Sequence, residues 1–132
     1  MPIYNVPLLS IDTKETRRYA GLQTAAFDEH QIEAACEEAR LLAHPQGIWE
    51  SYGYDAKTQT VLAPEPFIIE GNKIGQHLAG ADRVILMAAT VGEEIETAVT
   101  RHFSEGNYAY SVLLDAAATT AVEQIADAME KA

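Results

Sequence analysis

The clearest periodicity in the chain lies between Asp28 and Ala43. Ile32, Ala35, Cys36, Ala39 and Leu42 recur at the spacing of one helical face, and Glu29, Glu33, Glu37 and Arg40 fall away from it. The pattern predicts a helix over 28–43. Asp28 opens it with Gln31 at capping distance, and Pro45 and Gly47 end it. Upstream, Ile3 to Leu9 is predicted extended, because Pro2 and Pro7 bias their neighbours away from helix. Asp12, with Glu15 three residues on, starts a short helix that ends near Gly21.

From Ile48 onward the texture changes. Ile48-Trp49-Glu50-Ser51-Tyr52-Gly53-Tyr54 and Phe67-Ile68-Ile69 are rich in aromatic and β-branched residues and predict strands. The stretch between them, with Pro64 and Pro66, reads as looser strand or loop. Gly71-Asn72 signals a turn, and Ile74 to Leu78 a short helix stopping at Gly80. Arg83 to Ala89 is an almost unbroken apolar run, which predicts a central strand buried on both faces. A helix to about Phe103 follows, then a break at Ser104-Glu105-Gly106-Asn107 and a last, alanine-rich helix over 108–130. The prediction is an α+β fold in one domain, 1–132. Its sheet is mixed or antiparallel, with helices packed on it and a long C-terminal helix. Because that helix is still running at the last residue, the chain is expected to be one half of a longer protein.

Composition narrows the function classes. The chain has 132 residues, nine basic and twenty acidic, for a net charge of −11. That balance argues against nucleic acid and anionic membranes, which need clustered Lys and Arg. It favours solubility and basic partners. The acid is spread along the chain and forms no tail. One cysteine, Cys36, makes no internal disulfide and builds no cysteine zinc site. No apolar run approaches the roughly 20 residues needed to cross a bilayer, and the first residues do not resemble a signal peptide. A cytoplasmic protein is expected.

Candidate chemistry is sparse. Thr90-x-Gly92 lies where a strand meets a helix, a place where free N–H groups can hold ligand oxygens. Thr90 and Glu93 also have capping-box spacing, and Glu93 and Glu94 put negative charge where an anion would sit, so capping is the preferred reading. Asp115, Thr119, Glu123 and Asp127 are four residues apart and share one side of the last helix. The stripe is either a solvated face or a holder for a cationic ligand or a basic partner, and the apolar residues around Asp115 favour its burial. His30, His44, His77 and His102 show no metal-site spacing. Cys36 reads as an inert core thiol. Trp49, Tyr52 and Tyr54 form either an exposed platform or one packed face of a sheet. No phosphate loop, dinucleotide fingerprint or nucleophile elbow is present.

Three stretches, taken in order, carry more. They are Ile11-Asp12-Thr13-Lys14-Glu15-Thr16-Arg17-Arg18-Tyr19-Ala20-Gly21; Ile74-Gly75-Gln76-His77-Leu78-Ala79-Gly80-Ala81-Asp82-Arg83-Val84 running into Ala88-Ala89-Thr90-Val91-Gly92; and Leu114-Asp115-Ala116-Ala117-Ala118-Thr119-Thr120-Ala121-Val122-Glu123. Their order and spacing resemble the activation domain of cobalamin-dependent methionine synthase and the small stand-alone proteins related to it. The resemblance implies binding of S-adenosylmethionine and docking over the cobalamin of a corrinoid protein or methyltransferase. There an electron and a methyl group restore methylcobalamin. It implies that Asp12 lies near the ligand's amino group and that Glu123 is a second carboxylate. Thr90 and Asp115 complete the candidate cofactor-binding set, with no catalytic or metal-ligating residue assigned.

The family continues past its last helix into an Arg-x-x-x-Gly-Tyr segment that wraps the ligand. Nothing like it follows Lys131, and Gly53-Tyr54 lies in the wrong region. A second chain or a second copy would have to supply those contacts. The first expectation is therefore an accessory protein for a corrinoid methyltransferase. The alternative is a non-catalytic, dimeric module that kept the fold and lost the ligand, pairing through its alanine-rich helix. A carboxylate enzyme ranks last, since eight residues place Asp115 and Glu123 about 12 Å apart along a helix.

Overall fold

The computed structural model describes residues 3–4, 8–21 and 29–131. The prolines at 2 and 7 and the Asp28 cap lie outside the described residues, while Ile3–Tyr4 is a short strand, β1. The remaining order is α1 (Thr13–Tyr19), α2 (Glu29–Leu42), β2 (Gln46–Asp55), β3 (Thr60–Leu62), β4 (Phe67–Ile68), α3 (Asn72–His77), β5 (Arg83–Thr90), α4 (Glu94–Ser104) and α5 (Tyr108–Lys131). This is the α+β class that the sequence predicts, with an antiparallel sheet and a long last helix. The chain divides into two compact units. One is built on Ile48–Ala88, and the other on Ile3–Gly47 together with Ala89–Ala132.

The helical unit is organised around α5, against which α1, α2 and α4 all pack. Ile32 of α2, Ile95 of α4 and Leu113, Leu114 and Ile125 of α5 are fully buried. Each such side chain contributes about 1.5–3 kcal/mol relative to leaving it in water. The apolar face predicted for α2 is the one buried: Ile32, Ala35, Cys36 and Ala39 all point inward. The alanines of α5 do the same. Ala117 and Ala121 are buried in the core that the helices of their own chain form, and Ala116 is buried as well. The alanine face is therefore already covered, which removes the reason for expecting dimers to form through it.

In the sheet unit, β2 pairs antiparallel with β3, and β3 with β4. β5 runs along β2, with the Tyr54 N–H donating to the Asp82 carbonyl at 2.8 Å. Tyr54, Val61 and Val84 form a small core on one face. The turn after β2 depends on Gln59, which takes a positive φ of 53°. Its side-chain amide donates to the carbonyls of Ile69 and Gly71, repaying the local strain with two bonds.

The expectation of a strand buried on both faces is corrected at β5. Val84 is buried, but Ile85 is 62% and Met87 44% exposed. Among the described residues β5 pairs only with β2, so it lies at the sheet's margin. A continuous apolar run shows that a strand can be buried on both sides. It does not supply the neighbour that would bury it.

Candidate functional site

Asp12 is the N-cap of α1, as its spacing predicts. Its Oδ1 accepts the N–H groups of Lys14 at 2.9 Å and Glu15 at 3.1 Å. The reciprocal half of the capping box does not form. Glu15 turns instead to Arg18, at 2.7 Å, and this bond raises the Arg18 pKa further. Arg18 also stacks over the Tyr19 ring, 4.4 Å from its centroid. The Asp12 N–H that Glu15 leaves free donates to Gln124 Oε1 of α5 at 2.9 Å, and Gln124 Nε2 donates to the Ser10 carbonyl. Below this clamp Thr16 and Thr120 meet in the core, and the Cys36 thiol donates to Thr16 Oγ1. Burial pushes the Cys36 pKa up, which keeps the thiol protonated as the inert reading requires.

A cleft of about 490 Å³ opens between α1 and α5. Asp12, Glu15, Arg18, Glu123 and Asp127 supply its charge. The Asp12 carboxylate is bound to two N–H groups and Glu15 is neutralised by Arg18. Glu123 and Asp127 are both exposed, stand one helical turn apart, and have no cationic partner among the described residues. The cleft therefore presents unneutralised negative charge to solvent.

A second cleft, of about 330 Å³, lies beside α5 and the start of α4. Thr90, Asp115 and Glu123 line its polar side, and Val91, Ile95 and Val122 its apolar side. Here the capping reading is corrected. The N-cap of α4 is Glu93, which makes no side-chain capping bond. Thr90 Oγ1 instead accepts the Gly92 N–H at 3.0 Å, closing a local turn. Gly92 has φ +85°, and a Cβ there would lie 3.1 Å from that of His44. Asp115 is exposed, contrary to the burial its apolar neighbours suggest. The whole stripe of Asp115, Thr119, Glu123 and Asp127 faces solvent.

The four candidate residues thus fall on two clefts of the helical unit. Asp12 and Glu123 line the first; Thr90, Asp115 and Glu123 line the second. Glu123 belongs to both. The acidic wall and apolar slot suit a ligand that carries positive charge beside an apolar group.

Sequence reasoning missed the Gln124 clamp and a polar cluster shared by α2, α4 and α5. In that cluster Glu38 accepts the Tyr110 hydroxyl at 2.9 Å and lies 3.1 Å from His102 Nε2. Burial first, then the Glu38 hydrogen bond and charge, push the Tyr110 phenol pKa up. His102 Nδ1 is buried without a partner. These groups come from three helices, so no local motif announces them. The aromatic platform divides: Tyr54 is buried and Trp49 stands exposed. Among the described residues no cluster of metal-binding side chains occurs, and no helix is long and apolar enough to cross a membrane. Comparison with protein-family models gives no match, and comparison with curated proteins gives none.

Proposed function

We propose that the chain is an accessory protein of corrinoid methyl transfer, binding S-adenosylmethionine along the exposed face of α5 and presenting it to a cobalamin-carrying partner. The observation that carries this reading is the meeting of two clefts at Glu123, one acidic and one partly apolar. The sulfonium and ammonium of S-adenosylmethionine match the unpaired carboxylates of Glu123 and Asp127. Its nucleoside matches the slot beside Val91, Ile95 and Val122.

When bound, S-adenosylmethionine would supply a methyl group to a corrinoid cobalt held by the partner. The chain's own residues do the positioning. Glu123 and Asp127 attract and orient the positive charges. Asp12, fixed at the α1 N-terminus by two N–H bonds, adds negative potential without being free to move. Gln124 holds the segment before α1 against α5, which sets the width of the first cleft. Thr90 keeps a hydroxyl proton to donate, because its oxygen accepts from Gly92.

The test is functional rescue. An oxidised, inactive cobalamin-dependent methionine synthase, supplied with reductant and S-adenosylmethionine, is followed by the absorbance of its corrinoid. Faster return to the methylated form when the chain is added, and not when Glu123→Gln/Asp127→Asn replaces it, supports the proposal. No acceleration by either protein rejects it.

A further inference from the structure

We infer that the chain forms a two-fold dimer through the open face of its sheet. Strand register defines that face. Gly53 lies opposite Leu62, Asp55 opposite Thr60, and Thr60 opposite Ile68, so these side chains share one side. Arg83 donates to Ser51 Oγ at 3.1 Å, which brings β5 onto the same side. Alternation then adds Trp49 of β2 and Ile85 and Met87 of β5. The opposite face holds Tyr54, Val61 and Val84, which are buried. On the open face, Trp49, Leu62, Ile68, Ile85 and Met87 are 40–63% exposed. Five large apolar side chains on one sheet surface make a contiguous patch of the kind that marks an interface.

Charge selects a second copy as the occupant. The chain carries −11 in total, yet Ile48–Ala88 holds only five acidic and three basic residues. Most of the acid therefore lies on the helical unit, where two copies repel. The strand residues of the open face carry one cation, Arg83, and one anion, Asp55, and are neutral as a set. A two-fold axis places equal patches together and lets Arg83 of each copy face Asp55 of the other. Two such faces stack as in a sandwich, with sheets about 10 Å apart and the five side chains interdigitated.

The experiment is light scattering after size exclusion across a range of micromolar concentrations. The proteins are the wild type, Ile85→Lys, Leu62→Lys and Val112→Lys, each checked for folding by circular dichroism. Ile85, Leu62 and Val112 are all exposed, so a fold-preserving variant is available on each surface. The wild type is expected to be a dimer. Ile85→Lys and Leu62→Lys should each weaken it by about tenfold or more, with Val112→Lys on α5 leaving it intact. A wild type that stays monomeric overturns the inference. So does a dimer that only Val112→Lys disrupts.

Discussion

The side-chain amide of Gln124 accepts the main-chain N–H of Asp12, 112 residues earlier, at 2.9 Å. The same side chain donates to the Ser10 carbonyl. One residue of α5 thus sets where α1 begins. Gln124→Leu should lose both bonds and lower stability by about 1–2 kcal/mol, read from urea unfolding. An unchanged midpoint would show that water replaces the clamp without cost.

Gly92 joins β5 to α4 at φ +85°, with His44 packed where a Cβ would go. The His44 N–H also donates to the Val91 carbonyl at 2.7 Å, so the turn cannot easily relax. Gly92→Ala should cost about 1–3 kcal/mol in the same unfolding measurement. A loss below about 0.5 kcal/mol would mean the turn adapts.

Tyr110 gives a signature at alkaline pH. Its folded pKa is raised, so the folded state holds the phenolic proton more tightly than the unfolded chain does. The stability this provides is complete below the unfolded value of about 10 and is lost as pH rises from there through the folded pKa. Stability should therefore fall above pH 10, and Tyr110→Phe should flatten that fall. Equal slopes in both proteins would contradict the assignment.

Cys36 is buried, its thiol bonds to Thr16 and its pKa is raised. A disulfide-exchange reagent should react with it only as fast as the helical unit opens. Denaturant should accelerate the reaction by orders of magnitude. Fast labelling of the native chain would count against the packing described for α2.

Asp12 was legible as a helix start, and Ile32 to Leu42 as a buried face, because capping and helical periodicity act over a few residues. Glu15 and Glu93 were misread for a related reason. Both have the right spacing for a cap, but Arg18 captures Glu15 and Gly92 captures the Thr90 hydroxyl. A spacing rule cannot rank such competitors. The exposure of Ile85 and the clamp at Gln124 depend on residues far away in the chain, and local pattern carries no signal for either. The candidate site was half legible. Asp12, Thr90, Asp115 and Glu123 could be named, yet their gathering on two clefts of α5 depends on how α1 and α4 pack against it.

The proposed function rests on Glu123, and a calorimetric titration tests it most directly. S-adenosylmethionine and its analogue S-adenosylhomocysteine, in which an uncharged thioether replaces the sulfonium, would be titrated into the wild type, Glu123→Gln and Asp12→Asn. Asp12→Asn preserves a good N-cap while removing charge. Micromolar binding of S-adenosylmethionine to the wild type is expected, with weaker binding of the analogue, which keeps the ammonium but has no sulfonium to meet the second carboxylate. Glu123→Gln should lose about tenfold or more in affinity, the scale of one charge-assisted contact, and Asp12→Asn a smaller factor. No heat up to millimolar ligand, or equal affinity for the two sulfur compounds in every variant, would contradict it.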